Sequence, residues 1–291
     1  MFRALLLGLA LLLVGGCGSK HAASDADPAL WVVKDADTTI YLFGTVHMLK
    51  PGLSWFDEGV RKAFDESGEL VLELVMPPEA EMQALVSELG MTPDATLLQQ
   101  LPPEAVDKLH ATLAEAGFPA NALDRAEPWL AATMLSSMPL RELGYDEKDG
   151  AEQVLTAAAK SAGKRVSGLE TAREQLGYFD TLPLPAQRAL LLDTLKDLSN
   201  TGGTVDKMVA AWSKGDADGL GKIMNQDLAR SPELAKALLE SRNRNWAGWI
   251  TRRMHKPGTV FVAVGAGHLA GAQSVQAMLA AKGLKVERVD Y

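Results

Sequence analysis

Two histidines stand in the same local pattern near opposite ends of the chain. Ile40-Tyr41-Leu42-Phe43 runs into Gly44-Thr45-Val46-His47, and Val260-Phe261-Val262-Ala263-Val264 runs into Gly265-Ala266-Gly267-His268. In each copy an apolar run of strand type reaches a glycine, and an imidazole follows three residues later. Glycine there lets the backbone turn or be approached closely. A side chain just past a rigid strand can face a cleft. Two carboxylates occupy comparable places: Glu73 inside Val71-Leu72-Glu73-Leu74-Val75, and Glu170 after Gly168-Leu169. Ligands of open α/β sheets bind outside the strand ends. Imidazoles and carboxylates gathered there make a nitrogen and oxygen donor set for a divalent ion with an open water position. Such an ion lowers the pKa of its bound water from about 15.7 to about 7. A partly buried Glu73, its pKa raised, could act as general base.

Each residue has a plainer reading. A histidine at a strand end can be a hydrogen-bonded structural residue, and Glu73 can lie on the solvent face of a half-buried strand. Glu170-Thr171-Ala172-Arg173-Glu174 can be the charged first turn of a helix, where acids suit the dipole. Gly265-Ala266-Gly267 before a helix invites a phosphate-loop reading, but it lacks the further glycine and the Lys-Ser/Thr of such loops. His21, His110 and His255 fall in a tether, a helix stripe and a helix end, and read as incidental. There is no Gly-x-Ser-x-Gly, His-Glu-x-x-His or Cys-x-x-Cys, so serine and cysteine nucleophile schemes have no support.

The elements that must position these groups alternate in type. Strand patterns cover residues 29–34, 39–43, 69–75, 164–170, 260–264 and 284–289. The first two form a hairpin expected to supply an antiparallel edge. Helical spacing covers 56–64, most of 79–144, 151–162, 185–198, 205–212, 217–228, a long run from Pro232 to about Met254, and 269–281. Asn200-Thr201-Gly202-Gly203 reads as a break. The layout is α/β: a small, central mixed β-sheet flanked by helices, with large helical insertions forming a cap.

The 291 residues are 47% hydrophobic and 23% charged, the balance of an ordinary globular chain. A formal charge of −8 and the lack of a basic stripe exclude nucleic acid as a partner. One cysteine excludes an intrachain disulfide. Residues 1–16 read as a signal peptide. Ala4 to Val14 has the size of a signal h-region and is too short to span a bilayer. Val14-Gly15-Gly16-Cys17 resembles a bacterial lipoprotein box with Cys17 lipidated, and Gly18 after it favours the outer membrane, facing the periplasm, in a Gram-negative envelope. Residues 17–28 read as a flexible tether, and 29–291 as one domain.

Several landmarks occur together and in order. They are Tyr41-Leu42-Phe43-Gly44-Thr45-Val46-His47; Leu72-Glu73-Leu74; Gly144-Tyr145-Asp146; Gly163 through Thr171 with Gln175; Arg242-Asn243 with Trp246; and Val264 through Gly271. In this set the chain resembles the TraB/GumN family, which includes pheromone-shutdown proteins and Tiki metalloproteases. It is distantly similar to erythromycin esterases and ChaN-type haem-binding lipoproteins. The resemblance implies His47, His268 and Glu73 as a catalytic set, with Glu170, Asp146, Arg242 and Asn243 lining the same cleft. The expectation is a lipid-anchored envelope hydrolase acting on peptide or small-molecule ester bonds. His47, His268 and Glu170 would hold a divalent metal of the manganese, cobalt or zinc class, with Asp146 as an alternative to Glu170. Arg242, Asn243 and Asp146 would contact substrate. A metal-free variant has a histidine activating water directly. The alternative from another class is a non-catalytic lipoprotein that binds haem or a peptide.

Overall fold

Alternation along three strands sets the centre of the molecule. In the computed structural model, which describes residues 24–93, 96–228 and 231–291, eight strands occur. They are β1 (Ser24–Asp25), β2 (Leu30–Lys34), β3 (Thr38–Thr45), β4 (Leu53–Ser54), β5 (Glu69–Leu74), β6 (Arg165–Glu170), β7 (Gly258–Gly265) and β8 (Val286–Arg288). β1 and β4 form a short parallel pair; the other six make one mixed sheet in the order β6-β5-β7-β3-β2-β8. Phe43, Leu70, Leu72, Phe261 and Ala263 face one side of that sheet. Ile40, Leu42, Val71, Val260, Val262 and Val264 face the other, as the period of two requires.

Among the described residues twelve α-helices occur: α1 (Glu58–Glu66), α2 (Glu79–Gly90), α3 (Pro103–Glu115), α4 (Pro128–Glu142), α5 (Ala151–Ser161), α6 (Ala172–Asp180), α7 (Leu184–Asp197), α8 (Thr201–Trp212), α9 (Ala217–Leu228), α10 (Pro232–Ala235), α11 (Ser241–Arg253) and α12 (Val275–Ala281). α1, α5 and α8 cover the first face with Phe64, Leu155, Ala159 and Trp212. α11 and α12 cover the second with Trp246, Ala247, Ile250 and Leu279. α3, α4 and α7 close round a separate apolar core that includes Leu109, Leu113, Trp129, Leu135, Leu191 and Leu195. The helical insertion is therefore a packed body and not a loose excursion. Among the described residues no helix is long and apolar enough to cross a membrane.

Strands β6, β5, β7 and β3 run parallel, so their carboxyl ends lie along one edge. Thr45 pairs with Gly265 and Leu74 with Glu170. Both Gly-x-x-His turns, Glu73 and Glu170 therefore leave the sheet on the same side. Gly44 suits the close approach of the two turns: a Cβ there would lie 3.0 Å from Ala266 Cα, tighter than ordinary contact.

Four local expectations are corrected. The hairpin is not the edge, since β8 adds beyond β2, Val33 pairing with Val286. Gly202-Gly203 does not break the chain; α8 runs through both. Buried Leu198 and Trp212 at either end outweigh a glycine penalty of roughly 1 kcal/mol each. Residues 269–281 are not one helix. The chain makes a 3-10 turn over Ala266–Leu269, and α12 begins only after Ser274, whose hydroxyl accepts from the Ala277 amide. The described end of the expected tether is held, not free, because Ser24 and Asp25 pair with Leu53 and Ser54, and Ala26 is buried. The expected signal segment, Cys17 and His21 lie outside the described residues.

Candidate functional site

β7 leaves the sheet at Gly265 and turns at once, which drops His268 against α11. α11 buries Arg242, Asn243, Trp246, Ala247 and Ile250, one continuous stripe at helical spacing. Its first turn is polar, because there Arg242 and Asn243 meet Glu73, Glu170 and His268. A π-helical turn, Lys236–Glu240, precedes it; such turns are frequent at functional sites.

Arg242 is the hub. Its Nε donates to Glu170 Oε1 at 2.9 Å and Oε2 at 3.2 Å, and its Nη2 donates to Glu170 Oε2 at 2.8 Å and to Glu73 Oε2 at 2.6 Å. Nη1 lies 3.1 Å from His268 Nε2 and 3.3 Å from the Leu238 carbonyl oxygen. The guanidinium also stacks 4.7 Å over the Trp246 ring and 5.5 Å from the Tyr178 ring. Glu170 receives Trp246 Nε1–H at 3.0 Å. Glu73 Oε1 accepts the Gly265 amide at 2.6 Å, and Oε2 accepts from Gln175 at 3.3 Å. Glu73, Glu170, Arg242, Asn243 and His268 are all buried. The solvent-face reading of Glu73 is thus overturned: it shares the Val71 face, under α11. Burial pushes its carboxyl up, but the positive groups round it, with Arg242 a permanent cation, and the Gly265 amide hold it below the usual range.

His268 is tied at both ring nitrogens. Nδ1 is 2.6 Å from Asn243 Oδ1, an oxygen that can only accept, so Nδ1 carries the proton. Nε2 then presents its lone pair to Arg242 Nη1, with Glu73 Oε1 3.7 Å away. Asn243 is itself fixed by its amide, which donates to the Gln273 carbonyl at 2.6 Å. Burial lowers His268 to about 4, against the attraction of Glu73, so the ring is neutral at pH 7.

His47 differs. Its side chain is 72% exposed, and Nδ1 lies 2.6 Å from Glu152 Oε1, the oxygen that also accepts from Thr45 Oγ1 at 2.5 Å. The Glu152 charge and its hydrogen bond raise His47 to about 9, so the imidazolium persists at pH 7. Glu152 sits in the first turn of α5, which is docked on this loop by the Ala151 amide to the Val46 carbonyl at 3.0 Å. Gly150 lies so close that a Cβ there would come 2.0 Å from the His47 carbonyl oxygen. The two rings and Glu73 are near enough for each charge to act on the others.

Among the expected residues, His268, Glu73, Glu170, Arg242 and Asn243 form one cluster, and His47 stands at its exposed side. Asp146 is apart. It caps a 3-10 turn, accepts from the Lys148 amide at 2.9 Å and pairs by backbone with Leu49. Sequence reasoning missed Glu152 entirely; its signal was an acid in a helix first turn, which the dipole alone explains. It also missed Tyr178.

The expected ligand set does not fit a metal as folded. Among the described residues no group of three or more His, Cys, Asp or Glu side chains is placed to hold an ion. Glu170 is spent on Arg242 and Trp246, and the His268 lone pair faces a guanidinium.

The uncharacterized protein YbaP of Escherichia coli K12 is 24% identical over 253 residues, covering 87% of this chain and 92% of that protein. An uncharacterized protein of Treponema pallidum is 22% identical over 270 residues, 87% of this chain and 80% of that one. The Danio rerio protein named metalloprotease TIKI1 is 24% identical over 328 residues, 94% of this chain and 65% of that protein. No solved structure matches. The TraB/PrgY/gumN family model matches residues 29–288, and the chain belongs to that family.

Proposed function

We propose that the protein is a hydrolase of peptide or small-molecule ester bonds. One observation carries the reading: two imidazoles leave neighbouring strand ends at one sheet edge with their basicities driven apart, one held neutral and one protonated, and Glu73 lies 3.7 Å from the first. Groups separated in this way mark acid and base roles. In the scheme, the ionised Glu73 carboxylate takes a proton from the attacking water, and His268, neutral and tied to Asn243 and Arg242, packs beside it with Nε2 3.7 Å from Glu73 Oε1. The water oxygen bonds to the carbonyl carbon. His47 meets the developing oxyanion and gives its proton to the leaving nitrogen or oxygen. Arg242 holds both carboxylates in place. Asn243 fixes the His268 tautomer.

A peptide bond is the first target because of the printed name of the fish relative. The divalent ion of the manganese, cobalt or zinc class rests on that name, and no step is routed through it. The same reading places the chain as an outer-membrane lipoprotein facing the periplasm, anchored at Cys17. Metabolic labelling with palmitate, lost in Cys17→Ser, tests the anchor.

Turnover of a mixed peptide library and a panel of p-nitrophenyl esters tests the chemistry. Activity is expected to vanish in His47→Ala and in His268→Ala, with circular dichroism unchanged. Full activity in either refutes the scheme. If every substrate is refused and haem titration gives a Soret band that His47→Ala removes, the non-catalytic binding reading replaces it.

A further inference from the structure

We infer that Arg242 holds the place of a metal ion in this site, so that the guanidinium and a divalent cation exclude one another. Three acceptor atoms from three elements converge on one group: Glu170 Oε2 from β6 at 2.8 Å, Glu73 Oε2 from β5 at 2.6 Å and His268 Nε2 beyond β7 at 3.1 Å. The two carboxylate oxygens close on Nη2 and the imidazole nitrogen on Nη1, so the donor types of a hydrolytic metal centre are gathered round one guanidinium and not round an ion. The space between them is taken by a cation that is always charged and brings its own donors. It is also locked from outside the donor set. Trp246 lies under its face, and the Leu238 carbonyl, in the π-helical turn, receives Nη1–H. An ion entering beside it would meet like charge at a few ångströms in a buried setting, where that repulsion is strong. The two cations are alternatives in one cage.

The inference takes only the location of the site from the proposed function, and it is read without turnover. Full-length protein is prepared without chelator, gel-filtered and assayed for metal by mass spectrometry. Thermal melting is then followed with zinc, manganese or cobalt chloride. Wild-type protein is expected to hold well under one equivalent and to melt at the same temperature with each ion. Arg242→Ala and Arg242→Gln are expected to take up about one equivalent and to melt several degrees higher with the ion. That uptake is lost when Glu170→Gln is added. Arg244→Ala, which removes a surface ion pair with Glu240, should behave as wild type. A wild-type protein with stoichiometric metal that Glu170→Gln abolishes overturns the inference. So do folded Arg242 variants that bind no more metal than wild type, and variants that stay unfolded with and without the ion. Absence of any hydrolysis would sink the proposed function and leave the metal result standing.

Discussion

The two Gly-x-x-His turns share a pattern and almost nothing else. The first presents an exposed ring to a carboxylate, Glu152; the second buries its ring against an amide, Asn243. One imidazole is held charged and the other neutral, although they leave neighbouring strands in register. Spacing places a histidine; the partner of its Nδ1 decides what that histidine is. A carboxylate beside Nδ1 stabilises the imidazolium, whereas an amide oxygen in a dry pocket only fixes the tautomer.

The strongest way to break the contrast is to remove what only the second turn has. Arg242→Met leaves two buried carboxylates without their cation and should cost about 3–5 kcal/mol in urea unfolding. Glu152→Gln, at the exposed turn, should cost less, because water screens the pair it breaks. Equal losses would show that the two turns are built alike.

Acid gives the next largest effect. His268 in the folded chain sits at about 4, below its ordinary value. The unfolded chain therefore binds a proton that the fold refuses. Its stability contribution is intact above about 6.5 and lost as pH falls through 4, roughly 3 kcal/mol in all. His268→Gln should flatten that part of the pH–stability curve. His47 runs the other way: its pairing helps the fold at low pH and is lost as pH rises through about 9.

Exchanging the partners sharpens the comparison. Asn243→Asp gives the buried ring a carboxylate, and the His268 titration midpoint, read by NMR, should climb by at least about one pH unit. Glu152→Gln should bring His47 from about 9 back toward its ordinary value near 6.5. An unmoved midpoint in either variant would break the rule drawn from the pair. Smallest is Trp212→Phe. It removes the indole hydrogen bond to the Gly44 carbonyl at 2.8 Å and should cost about 1 kcal/mol, with the second turn undisturbed.

Much of this was legible in the chain itself. The apolar runs gave β3, β5 and β7, because central strands are buried on both faces and their composition says so. Glycine placement marked both turns. What could not be read was strand order. Glu73 between leucines suits an outer face equally well until β5 is known to lie between β6 and β7. β8 was expected as a strand, but nothing in residues 284–289 says that it pairs beyond the hairpin. Glu152 was invisible for a different reason: 105 residues separate it from His47, and a glutamate in a first turn needs no partner to be explained. Gly202-Gly203 misled because local propensity carries less weight than two buried aromatic and aliphatic anchors.

The ladder between β3 and β7 runs unbroken from Thr38 opposite Gly258 to Thr45 opposite Gly265. It works as a ruler between the two histidine turns. Each rung is worth ~3.3 Å along the strands, and a slip of one rung would also turn every side chain over. Length changes are therefore tolerable in exposed connections between helices and nowhere within these eight paired steps. Evolution of this chain has a fixed gauge at its heart and free play at its rim.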